Sequence, residues 1–187
     1  MNQEIVDAVK SSGMNVAKLL AFIDVETGGR GFDESTGKIM IQFEPTWFKK
    51  ISKNPKNGIW SSNKVDKQSK EWEAFNDAYK IDPQAAMKST SIGLGQIMGF
   101  NYKQAGCNSV DEMWNKAKSG IKEQVLQLIS FVKSNKNLLS ALESNNWDKA
   151  ASIYNGSGYK ALAVRCHRVP YDQALCAAYN KYKEIYK

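Results

Sequence analysis

The apolar positions of this chain recur mostly at helical spacing. Val16, Leu19, Leu20 and Ile23 fall at i, i+3, i+4 and i+7, one face of an amphipathic helix. Three residues on, the same face presents Glu26, a carboxylate in an apolar slot. Thr27-Gly28-Gly29 follows, and glycine supplies the positive φ that a helix stop often needs. Ile5, Ala8 and Val9 mark a shorter helix over 2–12 with Gly13 as its stop. Trp72, Phe75 and Tyr79 mark the inward face of a helix over 71–81, and Pro83 opens a further helical turn over 82–88. Ile121, Val125, Leu128, Ile129 and Val132 give the most regular pattern, that of a central core helix. Leu138, Leu139 and Leu142 mark another helix. A helix from Trp147 breaks at Asn155-Gly156, and Leu175, Ala178, Tyr182 and Tyr186 align along a closing helix over 171–187.

The period changes in one place. Lys38 to Glu44, KIMIQFE, is short and rich in β-branched and aromatic residues, and reads as one strand of a small hairpin. Pro45 ends it and suits the first position of a helix over PTWFKKI. Residues 28–37 are glycine-rich loop. Residues 52–70 are polar and read as a mobile surface loop, in which Trp60 either folds back onto the core or meets ligand. Residues 89–100, STSIGLGQIMGF, set three glycines among apolar residues. No strand is predicted before them and no Lys follows the glycines, so this is not a phosphate-binding loop. Residues 160–170, KALAVRCHRVP, read as an irregular basic stretch. With no repeat and no linker, the expectation is one mainly α domain over 1–187 with a small β element near 38–44.

Composition narrows the chemistry. The net charge of +7 is scattered, with no nucleic-acid motif, and suits a polyanionic partner such as an acidic cell-wall polymer. No apolar run reaches the roughly 20 residues of a membrane span, so no stable membrane insertion is expected. The first residues lack the basic and apolar regions of a signal peptide, so synthesis in the cytoplasm is expected. Three cysteines imply free thiols rather than a disulfide framework. The single His167 excludes an ordinary zinc hydrolase site. A Ser-His-Asp or Cys-His enzyme has to use His167 itself. Its neighbour Cys166 is badly placed for that, which leaves Cys107 as a partner. Acid/base chemistry therefore falls to carboxylates, with no metal and no cofactor.

Glu26 ends a predicted helix, and Glu44 ends the predicted strand eighteen residues later. A helix-borne acid and a strand-borne carboxylate are what glycoside hydrolysis needs: one protonates the leaving oxygen, the other stabilises the cation or activates water. Glu26 is expected to be buried and protonated, Glu44 more polar and ionised. Asp33 and Glu34 compete with Glu44 for the second role.

Five segments, VETGGRGF, IMIQFEPTWF, SIGLGQIMGFN, YNGSGY and YDQAL, occur in this order and cover nearly the whole chain. In that order they resemble the phage-type N-acetylmuramidase endolysins of the lysozyme-like superfamily. The same motifs relate the chain to lytic transglycosylases and goose-type lysozymes. The resemblance implies a lysozyme-like fold, bacterial peptidoglycan as substrate, and Glu26 as the general acid. By position it also implies a saccharide groove formed by Thr27, Ser91, Gly93, Leu94, Gln96, Tyr102, Tyr154 and Asn155, although Tyr154 also reads as plain core. Thr27 stands where Ser is usual, Ser91-Ile92 where Ser-Trp is common, and residues 160–170 exceed the usual turn. No separate wall-binding domain is visible. The function so implied is hydrolysis of the β-1,4 bond between N-acetylmuramic acid and N-acetylglucosamine by a monomer that reaches the wall through a holin or a secretion system. A lytic transglycosylase, a non-catalytic wall-binding module and a Cys-His peptidase are the rival expectations.

Overall fold

The computed structural model describes residues 1–64 and 67–186. Residues 65 and 66 of the predicted 52–70 loop, and Lys187 at the end of the predicted closing helix, lie outside them. The elements run α1 (Gln3–Lys10), α2 (Val16–Thr27), β1 (Ile41–Phe43), α3 (Pro45–Ile51), α4 (Gln68–Ile81), α5 (Pro83–Lys88), β2 (Thr90–Ile92), β3 (Ile97–Met98), α6 (Val110–Ser119), α7 (Ile121–Ser134), α8 (Lys136–Glu143), α9 (Trp147–Asn155), α10 (Tyr159–Arg165) and α11 (Tyr171–Ile185). Short 3-10 turns lie at Ile59–Ser62 and Gly99–Asn101. The chain forms two compact units, Met1–Gly29 with Ile129–Lys187, and Arg30–Leu128.

The first unit is helical and built on α2. Asn15 caps α2, its side-chain oxygen accepting from the Lys18 N–H, and Gly28 stops it at φ 61°. Seven of its twelve residues are buried. Leu20, Phe22 and Ile23 are wholly so, and each contributes about 1.5–3 kcal/mol by leaving water. α11 packs along α2 through Leu175, Ala178 and Tyr182, and Lys181 reaches Asp24 at 3.1 Å.

The segment 160–170 is not irregular: most of it is α10. Its end explains the Arg-Cys-His-Arg sequence. His167 takes the left-handed conformation at φ 50°, its N–H bonds the Val164 carbonyl at 3.2 Å, and the Arg168 N–H bonds the Ala163 carbonyl at 2.9 Å. This is the paired-bond helix stop normally given to glycine. Val169-Pro170 then leads directly into α11.

The second unit carries the sheet, in order β1-β2-β3 and antiparallel throughout. Ile41 faces Ile92 and Phe43 faces Thr90, while Ile92 faces Ile97. The glycine-rich stretch thus contains a hairpin, where no strand was expected. Gly93 adopts φ 69° at its turn, and a Cβ there or at Gly31 would strike the Gln124 side chain. Gln124 accepts from the Leu94 N–H at 2.9 Å and donates to the Ala117 carbonyl at 2.8 Å, which holds the turn in place.

The outer edge of β1 is closed by side chains instead of a strand. Gln68 accepts from the Ile41 N–H at 2.9 Å and donates to the Ile41 carbonyl at 2.8 Å. Glu71, almost fully buried, accepts from the Phe43 N–H at 2.8 Å and from the Asn63 amide at 3.0 Å. This burial of Glu71 rotates α4 relative to the predicted face. Ala74, Phe75 and Ala78 point inward, and Tyr79 is exposed. Trp60 resolves onto the core, 2% exposed and edge-on to Phe48 at 4.7 Å. α6, with Val110, Met113, Trp114 and Ala117 buried, is an element the pattern reading did not assign.

Gln68→Ala leaves the Ile41 N–H and carbonyl without side-chain partners. It is expected to lower stability by about 1–3 kcal/mol, measured by urea denaturation. An unchanged midpoint would show that the edge needs no such cover.

Candidate active site

Glu26 sits in the last turn of α2, one residue before the Thr27-Gly28 stop. Periodicity places its side chain on the buried face beyond Ile23, where α11 begins. The α10 turn and Pro170 set where that beginning falls, and it falls with the Tyr171 hydroxyl donating to Glu26 Oε1. The Asn155 side chain is a second hydrogen-bond partner of the same hydroxyl. Around this pair lie aromatic rings. Tyr154 is edge-on to Phe22 at 4.5 Å and to Phe131 at 5.7 Å, and its ring is nearly parallel to that of Tyr171 at 6.4 Å.

These surroundings set the acidity. Burial pushes the Glu26 carboxyl up to about 7, opposed by the Tyr171 hydrogen bond. Both tyrosines are driven well above their ordinary value, by burial first and then by the Glu26 charge, so they stay neutral. The hydroxyl of Tyr171 occupies one carboxyl oxygen and leaves the other to carry the proton. A carboxyl so arranged has the acidity that a general acid at neutral pH requires.

Of the predicted groove residues, Tyr154 and Asn155 join Glu26 in this cluster. Thr27 is buried, and its hydroxyl donates to the Ile23 carbonyl at 3.4 Å. Tyr171 had no assigned role, although it opens the YDQAL motif. The available signal was a tyrosine directly after a proline at a helix start.

The other predicted residues belong to the second unit. Glu44 follows β1 and begins α3; Gln42 donates to its Oε1 at 2.7 Å. Burial, and then the Glu71 carboxylate, hold the Glu44 carboxyl above its ordinary value against the Gln42 hydrogen bond. Its surroundings are thus less polar than expected. Ser91 donates to Gln96 Oε1 at 3.1 Å, and Gln96 donates to the Gly93 carbonyl at 2.9 Å from a left-handed backbone at φ 45°. The two side chains and the Gly93 turn form one bonded group. The Leu94 side chain is fully buried, so its part in any groove is through the backbone. Tyr102 is half-buried after the second 3-10 turn. Near Glu44, Trp47 is 40% exposed and packs on Phe100 at 4.8 Å.

Hydroxyls of Ser35 and Thr36 draw the exposed Asp33 carboxyl below its usual value, so it organises its own loop. Burial pushes the Cys107 thiol up, the opposite of what a thiolate nucleophile requires. His167 serves the α10 turn. Among the described residues no three His, Cys, Asp or Glu side chains converge as metal ligands do.

Two outcomes follow. A carboxyl raised from 4.5 to about 7 costs the native state about 3 kcal/mol once it is ionised, a cost that develops between those values and is complete above them. Glu26→Gln is therefore expected to raise the unfolding free energy at pH 8 by roughly 2–3 kcal/mol and to change it little at pH 4; a variant no more stable than the parent at pH 8 contradicts the desolvated carboxyl. His167→Gly relieves a strained left-handed backbone. It is expected to add about 0.5–1 kcal/mol and to leave the Glu26 site unchanged, read by thermal melting and by the NMR shifts of residues around Glu26.

Comparison with known proteins shows the family and the fold. The family model for N-acetylmuramidase matches residues 15–183. No curated protein matches the chain. Among solved structures, the Burkholderia AP3 phage endolysin superposes with a TM-score of 0.77 at 26% identity, over 99% of this chain and 71% of that one. The mainly helical, lysozyme-like architecture with its small antiparallel sheet is shared with that structure. The chain belongs to the N-acetylmuramidase family and is a glycoside hydrolase of peptidoglycan.

Proposed function

We propose that the chain is an endolysin that cleaves the β-1,4 bond between N-acetylmuramic acid and N-acetylglucosamine, with Glu26 as general acid. The observation that carries this reading is the carboxyl held near 7 with one oxygen bound by Tyr171. The proton on the other oxygen passes to the glycosidic oxygen as the C1–O bond breaks. The muramic ring carries the resulting positive charge at C1, as an oxocarbenium-like centre. Water adds at C1, loses its proton to a base, and leaves a reducing end. Glu44 supports the role of that base: a carboxylate held above its ordinary value by burial binds a proton more tightly than an exposed one. Action on the wall follows release through a holin-type lesion or a secretion system, and the enzyme works as a monomer.

The test uses purified peptidoglycan. Glu26→Gln is expected to lower the rate by about 10²–10⁴-fold, and the parent rate is expected to fall as pH rises through about 7, because the protonated form is the acid. Mass spectrometry of the products is expected to show reducing muramic ends. Undiminished lysis by Glu26→Gln would remove Glu26 from the mechanism, and 1,6-anhydro ends would make the enzyme a transglycosylase.

A further inference from the structure

α10 and its turn carry exposed apolar side chains that the reaction above does not use. Leu162 is 49% exposed and Val169 66%. With Val25, Tyr159, Arg168 and Tyr171 they line a pocket of 290 Å³, near the lower end of the range for small-molecule sites, about 300–1,000 Å³. The pocket contains one cation. The paired-bond helix stop fixes the Arg168 backbone, and among the described residues no carboxylate pairs with its guanidinium. The Tyr159 hydroxyl is already committed to Asp148 at 2.8 Å, so Arg168 is the charge available to an anionic ligand.

The pocket adjoins the acid. Tyr171 both lines it and donates to Glu26, and Val25 immediately precedes Glu26. A muramic ring whose anomeric bond meets Glu26 carries, two ring carbons away, a lactyl ether extended by a short peptide. That peptide begins with methyl side chains and a free carboxylate. An apolar wall with a single arginine matches both features.

We propose that this pocket binds the peptide substituent of the muramic residue, its methyl groups against Leu162 and Val169 and its carboxylate against Arg168. The enzyme then prefers peptide-bearing glycan to bare glycan. This rests on the reading of Glu26 as the acid acting at the muramic bond.

Two measurements on the whole chain test it. The first is the ratio of kcat/KM on uncross-linked glycan strands bearing peptides to that on the same strands stripped by an amidase. The ratio is expected to be about tenfold, one charge-assisted contact's worth, and to fall toward one in Arg168→Glu. The second is an NMR titration with N-acetylmuramyl dipeptide, expected to shift the amides of Leu162, Arg168 and Val169 in the parent and to weaken at least fivefold in Arg168→Glu. A parent ratio near one, a ratio unchanged by Arg168→Glu, or shifts elsewhere would overturn the proposal. A parent inactive on both strands would defeat the catalytic reading alone, and the titration would then decide the pocket. Should Arg168→Glu fail to fold, Leu162→Asp is expected to give the same losses.

Discussion

The site depends on a half-buried carboxyl that has lost much of its water and been given one hydrogen bond. Desolvation alone raises an acid without limit on where its proton sits. A phenol bonded to one oxygen tempers the shift and leaves the second oxygen for the proton. That arrangement needs α2 to stop within a turn of Glu26 and α11 to start at Tyr171. Gly28 provides the stop. The start is provided by His167, which occupies a glycine's conformation at the end of α10. The single histidine of a hydrolase is therefore a backbone device here, and the candidate site is built from a carboxyl, a phenol and an amide.

The second unit solves a different problem. Three strands of two or three residues make too little sheet to stand alone. β1 gains stability from side chains of α4 that take the place of a fourth strand. One of them, Glu71, is an ionisable group buried for structure, and its charge also helps hold Glu44 above its ordinary value. A structural carboxylate thus tunes a candidate functional one.

The helices with clean apolar periodicity were legible from residues alone, because a buried stripe leaves a period of 3.6 in the sequence. What escaped did so for identifiable reasons. β2 and β3 are too short to show alternation, and Gly93 between them serves the Gln124 contact as well as the turn. α10 buries only Tyr159 and Ala163, so it leaves almost no stripe. The face of α4 was misplaced because a buried glutamate displaced a tyrosine that hydrophobicity alone would have turned inward. Trp60 sat in a polar segment, and the partners that hold its ring, Phe48 and the Lys56 carbonyl, are met only in the folded chain.

By itself the sequence determined that Glu26 stands on the apolar face of a helix about to end, that carboxylates are the candidates for the chemistry, and which family the ordered motifs resemble. Both the spacing of side chains on a helix and the count of one histidine are local facts that need no neighbours. Only the tertiary structure decided how acidic Glu26 is, because that value comes from burial and from a hydroxyl brought by Tyr171, far along the chain. It also decided that the Tyr171 hydroxyl meets Glu26 and that His167 shapes the end of a helix. Desolvation and hydrogen bonding act over a few ångströms of space, and no spacing along the chain encodes which distant residues will share them.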